Sequence, residues 1–125
     1  MADAYSIYDP RRQVPSKEHS GSAEGLQIRI LDEQDFQAGD SLSLRVMVGF
    51  RSGGKEKPKA GVPVSVKVLG TTFRPQIYSV KTQRDGVAIF PVQIPAFASG
   101  RAAILVRAAV GSDAVELRRV VHSAQ

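Results

Sequence analysis

The chain has no cysteine and no tryptophan, and aromatic residues make up only 6% of its 125 positions. Without cysteine the fold has no disulfide bond, no thiolate nucleophile and no cysteine-ligated zinc site. The antibody-type core, in which a cysteine pair packs on a tryptophan, is excluded as well. Aliphatic and β-branched side chains must therefore fill the core, and this bias favours strands over helices.

Long apolar runs and helical periodicity are also missing. No segment approaches the roughly 20 apolar residues of a membrane-spanning helix, so no membrane insertion is predicted. Residues 1–15 are polar and charged and lack the apolar core of a signal peptide. The length suits one domain. Residues 1–25, with little periodicity and several turn formers, are predicted to form a flexible leader before a domain over residues 26–125.

What the chain does contain is alternation of apolar and polar residues. Residues 42–48 and 62–68 alternate most clearly, and a later strand turns Ala88, Phe90 and Val92 inward. About seven such segments are separated by turn signals, among them Asp85-Gly86. This pattern predicts an all-β, antiparallel sandwich of immunoglobulin-like build. In the closing strand, the Arg118-Arg119 pair interrupts the alternation, which predicts a bulge or an exposed edge that keeps the chain monomeric.

Three motifs follow one another in a recognisable order. A loop ending in Ala38, Gly39 and Asp40 leads into a strand, residues 61–66 read G-x-P-V-x-V, and residues 82–90 read T-x-x-D-G-x-A-x-F. Together they resemble bacterial immunoglobulin-like domains of the invasin and intimin type and macroglobulin-type domains. The resemblance implies a non-catalytic spacer, adhesion or scaffold module of an exported bacterial protein. Its location would be secreted, periplasmic or at the cell surface, and its partners other domains of a larger chain or a cell-surface protein.

Charge is distributed unevenly, since residues 1–40 carry a net −4 and residues 41–125 a net +9. The basic residues alternate with apolar ones, which favours a solvated strand surface. The densest basic run is Arg51, Lys55, Lys57 and Lys59, on a segment read as a long exposed loop. It is the candidate ligand-binding site of an alternative function, the capture of polyanions or carbohydrate. Specific nucleic-acid binding is not predicted, because base-stacking aromatics are not interleaved with the lysines.

Residues suited to catalysis or metal binding are few. His19 and His122 have no neighbouring ligand or triad residue at a useful spacing, so neither a catalytic nor a metal role is predicted. The carboxylates Asp32, Glu33, Asp35 and Asp40 share a loop and are the best candidate for a metal site, because clustered oxygen ligands can hold Ca²⁺. Their spacing matches no EF-hand, which favours the alternative of a solvated acidic loop. With no convergent nucleophile, base or metal set, the sequence predicts no enzyme and no cofactor.

Overall fold

Nine β-strands account for most of residues 24–124, which are the residues that the computed structural model describes. Their bounds are β1 Gly25–Ile30, β2 Phe36–Gln37, β3 Ser41–Ser52, β4 Lys55–Pro58, β5 Pro63–Gly70, β6 Gln76–Lys81, β7 Val87–Gln93, β8 Ala102–Val110 and β9 Asp113–His122. The predicted all-β class is confirmed. Within residues 24–124 no helix is long and apolar enough to cross a membrane. The predicted leader lies almost wholly outside the described residues, as does His19.

The strands form two sheets. In sheet A the long strand β3 lies in the middle, with β1 along one side and β7 and β4 end to end along the other, all antiparallel. Sheet B has the order β2-β9-β8-β5-β6 and is antiparallel except for the short β2–β9 pair. Two of the four neighbouring pairs in sheet B, β2–β9 and β5–β8, join strands that are remote in sequence, so the strand order depends on long-range pairing.

The core lies between the two sheets and is filled by the inward side of each alternating strand. Its fully buried members are mainly valine, with Phe36 and Phe90 as the largest. The inward positions predicted for β3, β5, β7 and β8 are confirmed, because alternation in a strand sends successive side chains to opposite faces. Tyr78 and Val80 of β6 pack against this core with partial exposure.

The sheets approach each other along two seams, where side chains rather than ladders make the connection. At the β6–β7 seam, Tyr78 Oη accepts a hydrogen bond from Gln93 N at 3.1 Å and donates one to Gln76 Oε1 at 2.9 Å. At the β1–β9 seam, Arg119 Nη2 lies 2.7 Å from Glu33 Oε2. The result is a pair of curled sheets that follow the outline of a half-barrel.

Two expectations about the strands are wrong in detail. The described part has nine strands instead of about seven, because β2 and β4 lie in segments read as a turn and a loop. In the closing strand β9 the bulge is wrong, since β9 pairs with β8 in unbroken register from Asp113 to Val121. The other reading, an exposed edge, is confirmed, because among the described residues β2 pairs with the opposite edge of β9 only at Val121 and His122. Arg119 occupies an inward-facing position of β9. Its charge is tolerated there because Glu33 pairs with it where the two sheets meet.

The turn between β6 and β7 is fixed by two residues. At the predicted Asp85-Gly86 turn, Gly86 has φ +81° and its carbonyl accepts a 2.7 Å hydrogen bond from Val48 N. Just before the turn, the buried Thr82 Oγ1 accepts from Val62 N at 2.9 Å and donates to the Lys59 carbonyl at 2.7 Å. These bonds join the turn to β3 and to the segment that follows β4.

Candidate functional site

The basic segment of the sequence is a β-hairpin and not a loop. Strands β3 and β4 are joined by Gly53 and Gly54, which have φ of +62° and +82°. Positive φ at both central residues is the signature of a type I′ turn, whose twist suits a two-residue hairpin. A Gly-Gly pair between two candidate strands is a known hairpin signal. The sequence therefore held the evidence for this hairpin, and reading it as a loop was wrong.

Three lysines share one side of the hairpin, which we call the lysine face (Phe50, Ser52, Lys55, Lys57 and Lys59). Lys55 lies opposite Ser52 and Lys57 opposite Phe50, so these side chains project to the same side. They line a surface depression of about 460 Å³ together with Lys59 and Pro58. Phe50 is 40% exposed, and the Lys59 ammonium lies 5.8 Å from its ring centroid, within cation–π range.

Arg51, the fourth residue of the predicted site, projects from the other side of the hairpin. There its guanidinium lies 3.5 Å from Glu56, whose carboxylate is also 3.7 Å from Arg29 of β1. Gly49 makes room for this arrangement, because a Cβ at that position would collide with the Glu56 side chain. The structure thus brings together three of the four predicted residues and separates Arg51 from them.

The carboxylates of the acidic loop (Asp32, Glu33 and Asp40) each make a different structural contact. Asp32 forms a two-point ion pair with Arg45, which holds the pKa of Asp32 below its ordinary value through hydrogen bonding and charge. Glu33 pairs with Arg119, and Asp40 Oδ2 accepts a 3.0 Å hydrogen bond from Gln37 N. Across residues 24–124, no three His, Cys, Asp or Glu side chains are grouped so that they could hold a metal ion.

A second surface, which sequence reasoning missed, is the outer side of sheet B. We call it the docking face, defined by the outward residues of β5, β6, β8 and β9. Register aligns these residues in rows across the strands. One row holds Ile77, Lys67, Leu105 and Arg118, and the next holds Leu69, Ala103 and Val120. Ile77 and Val120 are 64% and 61% exposed, which is high for large apolar side chains.

Shallow depressions flank the apolar rows of the docking face. One, of about 540 Å³, has Leu69, Ala103 and Leu105 among its lining residues, with Arg101 and Arg118 beside them. The other, of about 350 Å³, lies between small residues such as Ser65 and Ala109. Within residues 24–124, the charged residues bordering this surface are five cations and one carboxylate (Lys67, Lys81, Arg101, Arg107, Arg118 and Glu116).

The signal that could have revealed the docking face lies in its outward apolar residues. Ile77, Leu69, Leu105 and Val120 occupy positions where simple alternation expects polar side chains. Each one alone is ordinary, because single surface apolar residues are common. They form a group only because of the strand order of sheet B, and the alternation within each strand does not predict that order.

Comparison with known proteins gives a likeness of fold. No family model and no curated protein matches the chain. The solved structures that match include a superoxide reductase (neelaredoxin) from Ignicoccus hospitalis and a point-substituted form of the same protein. Each has a TM-score of 0.57 and 13% sequence identity over 86% of this chain, and the match covers 88% and 87% of those chains, respectively. At this identity the likeness is one of fold alone.

These neighbours correct the assignment made from the motifs. The fold resembles that of superoxide reductase, so the likeness to invasin-, intimin- or macroglobulin-type immunoglobulin domains was wrong. The function inferred from that likeness, a non-catalytic spacer, adhesion or scaffold module, is therefore wrong as well. The alternative, capture of polyanions or carbohydrate, has no support from these neighbours either. The motifs misled because Asp-Gly turns and alternating strands are local features that several β architectures share.

Proposed function

We propose that this chain is a non-enzymatic protein-binding domain that attaches a partner through the docking face. The observation that carries the proposal is an apolar strip bordered by cations, in which Ile77 and Val120 are exposed and Leu69 and Leu105 are half-buried. Protein interfaces combine an apolar centre with a polar rim, and arginine is enriched in them. The excess of cations on the rim favours a partner whose contact surface is acidic.

The superoxide reductase activity for which the fold neighbours are named is not carried over to this chain. Superoxide reduction transfers an electron, a reaction for which proteins rely on redox-active metals or cofactors. Redox metals favour imidazole and thiolate ligands, and this chain has no cysteine and two histidines, His19 and His122. His122 is exposed on β9, and Asp32 and Glu33 are engaged with arginines. The donor set does not fit such a centre.

The same charges favour a monomer. Two copies meeting through the docking face would bring its cations against each other, and like charges across an interface are strongly unfavourable. The partner we propose is therefore a different, acidic protein. A sedimentation measurement of the purified chain tests this part, since a dimer that Val120→Glu dissociates would contradict it.

The test uses variants on opposite sides of the molecule. Ile77→Glu and Val120→Glu place a charge in the apolar strip, and Ile89→Glu places one at the 43% exposed Ile89 on the outer side of sheet A. The immobilised chain is exposed to an extract of its source cells, and retained proteins are compared. We expect an acidic protein that the wild type and Ile89→Glu retain and that Ile77→Glu and Val120→Glu lose, with unchanged melting transitions. Equal retention by all variants, or no retained protein, would overturn the proposal.

A further inference from the structure

The lysine face presents positive charges at a fixed spacing. Lys55 and Lys57 are alternate residues of β4, and Lys59 continues the same parity just beyond the strand. Alternate residues of a strand are about 6.5 to 7 Å apart along its axis. An extended peptide has this same repeat between its own alternate side chains. A peptide lying along β4 would therefore meet one lysine with every second residue.

The charges on this face are not balanced by the carboxylate nearest in sequence. Glu56 alternates with Lys55 and Lys57 and so projects to the opposite side, where it pairs with Arg51 and Arg29. Among the described residues, no acidic side chain lines the depression beside the lysines. The other carboxylate at the hairpin, that of Glu24, accepts a 3.1 Å hydrogen bond from Gly53 N at the turn. The lysines beside the depression are therefore in excess over carboxylates and attract an anionic ligand.

An apolar contact lies within the same depression. Phe50 and Pro58 line it beside the lysines, and Phe50 stays 40% exposed. An aromatic ring next to ammonium groups offers a stacking surface without cancelling their charge. This combination suits a ligand that carries both carboxylates and an apolar side chain.

We propose that the lysine face binds an extended acidic peptide segment in which two carboxylates and an apolar side chain occupy successive alternate positions. All three then project toward the lysine face, and the apolar side chain packs against Phe50. The site is separate from the docking face and does not depend on the function proposed for it. Recognition of the repeat distinguishes this ligand from other anions. A flexible anionic polymer or a fluid anionic membrane has no fixed register with the lysines, whereas an extended peptide does.

The test compares two labelled peptides of one composition by fluorescence anisotropy with the full chain. In Gly-Glu-Ser-Glu-Ser-Tyr-Gly the two glutamates and the tyrosine occupy alternate positions and project to one side. In Gly-Ser-Glu-Glu-Ser-Tyr-Gly the two glutamates are consecutive and project to opposite sides. We expect the alternating peptide to bind about tenfold more tightly. Lys57→Glu should weaken its binding about tenfold, and Phe50→Ala should weaken it about threefold.

Arg74→Glu is the matched control, because it changes the net charge equally at an exposed residue between β5 and β6, outside both the lysine face and the docking face. It should leave peptide binding within about twofold of the wild type. Equal affinity for the two peptides, or an equal loss in Arg74→Glu, would overturn the proposal by showing general charge attraction. Displacement of the alternating peptide by heparin or by phosphatidylserine vesicles, at matched charge and more readily than by unlabelled peptide, would overturn it as well.

Discussion

Asp32 and Arg45 form a two-point ion pair, with Arg45 Nε 2.7 Å from Asp32 Oδ2 and Nη2 2.9 Å from Oδ1. The next residue, Glu33, pairs with Arg119 of the other sheet. Two adjacent carboxylates therefore attach the segment after β1 to both sheets. The acidic residues of this loop therefore hold it in place through ion pairs.

The first prediction concerns pH. Hydrogen bonding to Arg45 lowers the pKa of Asp32 in the folded state, so the pair stabilises the fold above the unfolded pKa, about 3.9. That contribution is lost as pH falls through the lowered pKa. Asp32→Asn should slightly lower the melting temperature at pH 7, and the two curves should converge at acid pH.

Asp35→Asn, in the same exposed loop, is the control for this measurement and should melt like the wild type at pH 7. A difference between Asp32→Asn and wild type that stays constant down to acid pH would show that the charge of Asp32 is not the cause.

The second prediction concerns Thr82, the buried polar residue among those described. Thr82→Val keeps the shape but removes the acceptor of Val62 N and the donor to the Lys59 carbonyl. Leaving a buried N–H unsatisfied costs about 1 to 3 kcal/mol, and urea denaturation should show this loss. Thr82→Ser retains the hydroxyl and should lose less stability. Equal losses in the two variants would mean that the hydroxyl is not what matters.

The third prediction separates backbone strain from steric collision at two glycines. Gly86 and Gly111 both have positive φ, at +81° and +58°. A Cβ on Gly86 would lie 2.7 Å from the Val48 carbonyl oxygen, whereas one on Gly111 would meet nothing within 4 Å. Gly111→Ala should therefore carry only the conformational cost, about 1 kcal/mol.

Gly86→Ala should cost about 1 to 3 kcal/mol more than Gly111→Ala, because the carbonyl of Val48 must move. Denaturation of the two variants under one set of conditions gives this difference directly. If both alanine variants lose the same free energy of unfolding, the Val48 carbonyl moves aside at little cost, which would contradict the prediction.

The sequence predicts the inward residues well, because alternation is a local property that each strand carries by itself. Phe90 is expected at the centre of the core and is fully buried there. Strands β2 and β4 were missed for opposite reasons. The two residues of β2 are too few to show alternation, and their partner β9 is remote in sequence. For β4, the Gly-Gly turn was present but was read as a loop.

The candidate surfaces were predictable only in part. Lys55, Lys57 and Lys59 were found because they are close in sequence, but their separation from Arg51 follows from strand parity in a hairpin. The docking face could not be found locally, since it joins residues of β5, β6, β8 and β9. Arg119 was interpreted as a sign of a bulge because its partner Glu33 lies far away in the chain.

The side-chain seams between the sheets have a consequence for how the molecule fluctuates. Among residues 24–124, β1 and β6 are each hydrogen-bonded to one neighbouring strand, whereas β5 and β8 are bonded on both sides. Parting the sheets at a seam breaks contacts such as Tyr78 to Gln93 before it breaks any ladder. Amide protons of β1 and β6 should therefore exchange with solvent through partial openings, whereas those of β5 and β8 should exchange only through global unfolding.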